Sequence, residues 1–266
     1  MSKAIAICNQ KGGVGKSTTA INVSSYLALS GKRTLLIDLD PQGNTTTACG
    51  IQRKELEKEM YAVLMDGLPI SEAVQKSSVD GLEVLPASLN LAGAEPELTN
   101  TPEREFVLRK ALEPIRSQYE FIFFDCPPSL GLLTVNALAA ADLAVIPVQC
   151  EYLALEGLSS LLKTIDLVKQ RLNPSLYIGG IVLTMMDARA NLNREVAEEV
   201  RRFFKDLVFA TPIPRSVRLA ESPSFGKPIC LYDPNSSGAL AYRTLAQEVI
   251  EKIGAAHNEQ AAGQRA

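Results

Sequence analysis

The amino-acid sequence predicts a single α/β domain with a mostly parallel central sheet and helices on both faces. Three observations carry that prediction. Short apolar runs alternate with segments of helical period along nearly the whole chain, which is the α/β signature. The runs are apolar on both faces, as strands are when helices cover both sides of a sheet. No internal repeat and no linker rich in Gly, Ser or Pro divides the chain, so one domain is expected over residues 1–253.

The elements follow in order. Lys3–Cys8 is the first apolar run. Residues 16–30 carry Ile21, Val23, Tyr26 and Leu27 at helical spacing and stop at Gly31, and Arg33–Asp38 is the second run. Glu83–Leu85, Phe121–Asp125, Leu143–Val148 and Ile178–Thr184 read as further strands. Helices are expected over 54–66, 103–117, 130–141, 155–171, 191–206 and 238–253. Residues 254–266 are polar and rich in Ala and Gln, and read as a disordered tail.

Composition narrows the function. Of 266 residues, 46% are apolar, enough for a sizeable core, and the formal net charge is −3. That charge argues against a globally basic nucleic-acid coat but leaves room for a local patch. The five cysteines (8, 49, 126, 150 and 230) form no C-x-x-C pair and read as reduced thiols. The only histidine, His257, lies in the tail, which removes histidine triads and His-ligated zinc. No apolar run approaches the ~20 residues of a membrane span, and the N-terminal run is too short for a signal peptide. A cytoplasmic protein is expected.

The segment Asn9-Gln10-Lys11-Gly12-Gly13-Val14-Gly15-Lys16-Ser17-Thr18 follows a strand and opens a helix, the context a phosphate loop requires. Glycines let such a loop curl its N–H groups toward phosphate oxygens, and the helix adds the positive end of its dipole. Lys16 is expected at the β- and γ-phosphates, the Ser17 hydroxyl on Mg²⁺, and Thr18 at the α-phosphate. The usual pattern, G-x-x-x-x-G-K-[ST], has glycine where this chain has Gln10, and the chain carries an additional lysine, Lys11. The fold is therefore expected to be a P-loop NTPase with a deviant Walker loop.

Two acids complete the candidate site. Asp125 ends the apolar run 121–125, as a Walker B aspartate does, and is expected to contact Mg²⁺ through water. Asp40, in Asp38-Leu39-Asp40-Pro41-Gln42-Gly43-Asn44, is a candidate for orienting the attacking water and a possible metal contact. Ligands of open α/β sheets bind at the carboxyl ends of the strands, where both acids fall. Turn acids and helix N-caps use the same residue type.

With these residues in hand, the chain resembles the ParA/Soj family of chromosome- and plasmid-partitioning ATPases. The matching stretches are NQKGGVGKSTTAIN (9–22), LLIDLDPQGN (35–44), LAGAEPEL (91–98), DCPPSLGLLTVNAL (125–138), PVQCEYLALEGL (147–158), LTMMDAR (183–189), IPRSVRLAESPSFGKPI (213–229) and YDPNSSGA (232–239). The resemblance implies ATP and Mg²⁺ as cofactors and slow intrinsic hydrolysis. It implies an ATP-dependent homodimer in which Lys11 reaches the partner's nucleotide, with Asp40 supporting hydrolysis. Met185, Ile213, Pro214 and Asn235 fall on segments that frame the adenine or ribose, and Glu151 falls where the family approaches the nucleotide across the dimer. It further implies non-specific DNA binding by the ATP dimer, with Arg189 and Arg218 at DNA-contact positions. A ParB/Spo0J-like partner would stimulate hydrolysis and release the DNA, and the protein would associate with the nucleoid.

The charge pattern supports this modestly. Residues 189–227 hold eight Arg and Lys residues against five acids, so one subunit would bind DNA weakly and two more strongly. Arg201 and Arg202 also suit a solvated helix face. With the loop at residue 9, no helix-turn-helix domain is expected before it, and sequence-specific operator binding is not expected.

Other readings share the loop. A MinD-like division ATPase needs an amphipathic C-terminal membrane helix, which the polar tail lacks. An iron–sulfur carrier needs cluster cysteines; Cys126 lies just after the Walker B aspartate, but no C-x-x-C pair exists. A cargo-positioning relative shares the whole core, and a binding-only module would take ATP without releasing phosphate.

Overall fold

The computed structural model describes residues 2–53, 56–151 and 154–263, with the side chains of 154–156 and 253–263 outside the description. Seven strands form one sheet: β1 (Lys3–Ile7), β2 (Thr34–Asp38), β3 (Gln75–Lys76), β4 (Leu82–Leu85), β5 (Phe121–Asp125), β6 (Leu143–Gln149) and β7 (Tyr177–Thr184). Their order is β3-β4-β2-β5-β1-β6-β7. All neighbours are parallel except β3, which pairs antiparallel with β4. The helices are α1 (Lys16–Leu29), α2 (Asn44–Ala48), α3 (Met60–Met65), α4 (Ile70–Ala73), α5 (Ala94–Leu98), α6 (Val107–Leu112), α7 (Leu132–Ala140), α8 (Ala154–Arg171), α9 (Asn191–Phe204), α10 (Val217–Glu221), α11 (Ile229–Tyr232) and α12 (Ser237–Gly263).

Successive strand residues face opposite sides of a sheet, and here both sides are covered. Ala4, Ala6, Leu35, Ile37, Ile122 and Phe124 pack into one core. Ile5, Ile7, Leu36, Phe121 and Phe123 pack into the other, with Ile21, Leu27, Tyr242 and Leu245. Phe123 and Phe124 are each at most 1% exposed. Burying one such ring stabilises the fold by roughly 1.5–3 kcal/mol. All five cysteines are free and buried. Among the described residues, no helix is long and apolar enough to cross a membrane.

The α/β architecture matches the sequence prediction, and the departures have local causes. Pro114 cannot continue a helix, so α6 ends before it, and the segment expected over 103–117 is α6 flanked by short 3-10 turns at 104–106 and 116–118. The helix expected over 54–66 is confined to Met60–Met65, with residues 54 and 55 outside the described chain. Helix α12 runs as far as Gly263. Its alanines, glutamine and glutamate are good helix formers and no proline stops them. Residues 264–266 lie outside the described chain.

Candidate nucleotide site

The loop from Cys8 to Gly15 leaves the carboxyl end of β1, at the centre of the sheet. Gly13 and Gly15 adopt φ of 74° and 88°, a left-handed backbone that side-chain-bearing residues rarely take. Gly15 caps α1 without a side-chain hydrogen bond, and no acid sits in the first helical turn. The first N–H groups of α1 therefore have no side-chain acceptor, the condition under which a helix start accepts an anion. The loop is fastened on both sides. Asn9 donates its Nδ2 to the Pro147 carbonyl at 2.7 Å and accepts the Lys11 N–H at 3.0 Å. Thr184 Oγ1, at the end of β7, donates to the Val14 carbonyl at 2.8 Å.

Lys16 is 7% exposed, and its Nζ arches back to the Lys11 carbonyl at 3.2 Å. Burial lowers its pKa, while Asp125 and Asp40 act in the opposite sense. A buried cation with one carbonyl partner is poised to gain from an anion. Ser17 and Thr18 follow in the same helical turn.

Asp38 and Asp125 lie opposite each other in the β2–β5 register, both fully buried. Burial pushes the Asp38 carboxyl up to about 8, with Asp125 adding to it, and pushes Asp125 up to about 6. Asp38 accepts the N–H of Asp40 (3.1 Å), the N–H of Thr46 (2.8 Å) and the Thr46 hydroxyl (2.7 Å). Asp125 Oδ2 accepts the Thr45 hydroxyl at 2.6 Å, and its buried Oδ1 has no partner. Asp40 is 8% exposed, with Oδ1 accepting the Gln42 N–H at 2.9 Å.

That orphaned oxygen beside Ser17 fits a hard divalent cation. Mg²⁺ is commonly held by one or two carboxylates together with substrate phosphates, not by a protein cage. No cluster of three His, Cys, Asp or Glu side chains that could hold a metal occurs among the described residues. The Cys126 thiol is fully buried and held well above its ordinary pKa by desolvation.

A cavity of about 460 Å³ opens beside the loop, lined by Gly15, Thr18, Met185, Ile213, Pro214 and Tyr242 among others. It suits a planar base. The segments forming it are stitched together: Met186 donates to the Ile213 carbonyl at 2.9 Å and Arg215 to that of Met186 at 3.1 Å. Larger grooves of about 720 and 900 Å³ border neither the loop nor the acids.

The structure thus gathers residues 10–18, Asp40, Asp125, Met185, Ile213 and Pro214 at one end of the sheet. Asn235 is exposed in the turn before α12 and does not line the cavity. Lys11 points to Glu151, whose Oε2 accepts its Nζ at 2.8 Å, with side chains 41% and 49% exposed. The other Glu151 oxygen accepts from Gln149. Arg189 follows β7, 91% exposed and paired with Asp187 at 3.0 Å. Arg218, on α10, pairs with Glu221 at 3.2 Å and Asp233 at 3.3 Å.

Thr45, Thr184 and Tyr242 have places in or beside the site that the sequence did not announce. Tyr242 is buried against α1, its hydroxyl 3.1 Å from Thr19 Oγ1. The only signal was that Thr45 lies one residue beyond a quoted motif and Thr184 inside another.

The sequence matches the family model described as an AAA domain over residues 2–178. It is 55% identical over 249 residues to the sporulation initiation inhibitor protein Soj of Bacillus subtilis (strain 168), covering 94% of this chain and 98% of that protein. It is 54% identical over 252 residues to the chromosome partitioning protein ParA of Myxococcus xanthus (strain DK1622), covering 95% and 89%. Among solved structures, cobyrinic acid a,c-diamide synthase from Mycobacterium smegmatis with bound ATP analog and magnesium matches with a TM-score of 0.83 and 37% identity, covering 94% of this chain and 95% of that one.

Proposed function

This chain belongs to the ParA/Soj family of partitioning ATPases, and we propose that it acts as an ATP-dependent switch for DNA segregation. The cofactors are ATP and Mg²⁺. In this reading the ATP-bound protein dimerises and binds DNA without sequence preference, and hydrolysis, stimulated by a ParB-like partner, releases the DNA. The protein then associates with the nucleoid in its ATP state.

One observation carries the dimer. Lys11 belongs to the phosphate loop, yet its ammonium is half-exposed and engaged with Glu151 at the rim, not turned into its own cradle. Lys16 already fills the cradle from within. A second cation at the rim is available to a nucleotide held by another subunit.

The chain's own residues divide the work. The Gly12–Gly15 backbone and the start of α1 hold the phosphates, and Lys16 offsets their charge in a site where burial strengthens electrostatics. Ser17 would ligate Mg²⁺ and Asp125 Oδ1 would hold it through water; when bound, the ion neutralises charge on the transferring phosphoryl group. Asp40, its carboxylate plane fixed by the Gln42 N–H, orients the attacking water. Met185, Ile213 and Pro214 take the base. Basal turnover is slow because no arginine or histidine stands in the phosphate loop, so charge stabilisation waits for Lys11 of the partner subunit. Arg189 and Arg218 flank the base cavity in sequence and contact DNA phosphates. Their acidic partners keep one subunit's contribution small, and doubling the contacts on dimerisation raises affinity steeply.

The test is DNA binding with ATP, ADP or no nucleotide on two unrelated duplexes. Binding with ATP alone, equal on both duplexes and lost at higher salt, is the expected result. No binding with any nucleotide would overturn the DNA switch and direct attention to a protein or membrane partner.

A further inference from the structure

The buried acids are joined by a chain of hydrogen bonds that the reaction, as described so far, does not use. Helix α2 begins after Gly43, which has no side chain to cap it and whose φ is 59°. A Cβ there would lie 2.8 Å from the Ala87 carbonyl oxygen, so no capping side chain fits at that position. Asp38 caps the helix instead, from the end of β2, by accepting the Thr46 N–H and hydroxyl. The Thr46 hydroxyl in turn accepts the Ala87 N–H at 2.9 Å, so its donor and an acceptor site are both used. These bonds fix the first turn of α2, and Thr45 stands in that turn with its hydroxyl 2.6 Å from Asp125 Oδ2. Both Thr45 and Asp125 are fully buried.

A carboxylate can turn about its last bond and exchange its two oxygens. Thr45 holds one oxygen of Asp125, Ser17 stands close enough to lower the pKa of the same carboxylate, and the other oxygen is buried with no hydrogen-bond partner. Such an orphan is costly in an isolated fold, and a native structure that keeps one has a use for it.

We propose that Thr45 is a positioning residue for the divalent metal: its hydroxyl holds Asp125 so that Oδ1 stays turned to Mg²⁺, and Asp38 holds Thr45 through Thr46. Asp38 also accepts the Asp40 N–H, so one carboxylate ties the metal-side acid and the water-orienting loop to a common frame. The inference rests on the assignment of Asp125 to the metal. Partners that orient a metal-binding carboxylate typically change metal affinity by about 10–100-fold when removed.

The experiment titrates Mg²⁺ into the full-length protein with a fluorescent ATP analogue and repeats the nucleotide titration in EDTA. Thr45→Val keeps the shape and removes the hydroxyl; Thr45→Ala removes it with less bulk; Thr45→Ser retains it. The expected result is a rise of about 10–100-fold in half-saturating Mg²⁺ for Val and Ala, unchanged affinity in EDTA, and recovery with Ser. An unchanged Mg²⁺ requirement in Val or Ala, while Asp125→Asn raises it, overturns the role of Thr45. Equal losses with Mg²⁺ and in EDTA overturn it too, because they mark a structural role only. An Asp125→Asn protein with the wild-type Mg²⁺ requirement overturns the parent assignment as well, and is recognisable by that variant alone.

Discussion

Replacing Glu151 by glutamine removes the negative charge that holds Lys11 on its own subunit. The pair is 2.8 Å long, with side chains 41% and 49% exposed, so solvent screens it. Exposed ion pairs contribute roughly 0.2–1 kcal/mol. In the proposed dimer both copies of Lys11 must leave their Glu151 to reach the opposite nucleotide. Glu151→Gln therefore relieves about 0.4–2 kcal/mol across the two subunits, a factor of about 2–30 in the dimer dissociation constant. The assay is sedimentation equilibrium with ATP in an Asp40→Ala background, where hydrolysis is expected to be blocked and the ATP dimer to persist. Added salt should shrink the difference, because it weakens the pair in the parent protein. A dimer unchanged by Glu151→Gln would refute the argument that Lys11 is held back in cis. A weaker dimer would refute it differently, by giving Glu151 a favourable role across the interface, the position that the family resemblance suggests for it.

Three further expectations follow from the same geometry. Lys16→Ala should abolish nucleotide binding, since it removes the buried cation of the cradle; normal ATP affinity by calorimetry would contradict this. Arg218→Glu should weaken DNA binding while leaving ATP-dependent dimerisation intact, and loss of the dimer would move Arg218 to the subunit interface. Stability without nucleotide should fall as pH rises from about 5 to 8, because burial raises Asp38 to about 8 and Asp125 to about 6, above their unfolded value of 3.8. The folded state then holds protons that the unfolded chain has released, and that advantage is lost as pH passes the folded values. Thermal melts at several pH values test it: Asp38→Asn should flatten the slope, and a midpoint that climbs over this range would contradict the assignment.

The sequence was legible where a single segment decides the outcome. β1, the glycine loop and α1 are contiguous, and their pattern alone marks a phosphate site. Phe121–Asp125 was recognisable because five residues buried on both faces leave no room for polar alternation. Long-range partnerships were not legible. The bond from Thr45 to Asp125 spans 80 positions, and the pairing of Lys11 with Glu151 spans 140. Neither has a periodic signal, since both depend on how strands are ordered in the sheet. Short elements escaped for a different reason. β3 is two polar residues, and α2, α4, α10 and α11 are four or five residues each, too brief to display a period. Arg218 was read as a DNA-contact position, but its ion pairs with Glu221 and Asp233 were not legible, the latter 15 positions away on a turn that sequence pattern does not connect to α10.

The strand order has a consequence for how the protein is made. β1 ends at Ile7, but its two neighbours in the sheet are β5 and β6, which lie far downstream and end at Asp125 and Gln149. At roughly 5–20 residues per second, synthesis takes on the order of 6–30 s to reach them. Until then the glycine loop hangs from a strand with no neighbours, and the nascent chain has no cradle for nucleotide. The phosphate site therefore completes only once strands more than a hundred residues downstream of its own loop have been made and have closed a non-local pairing.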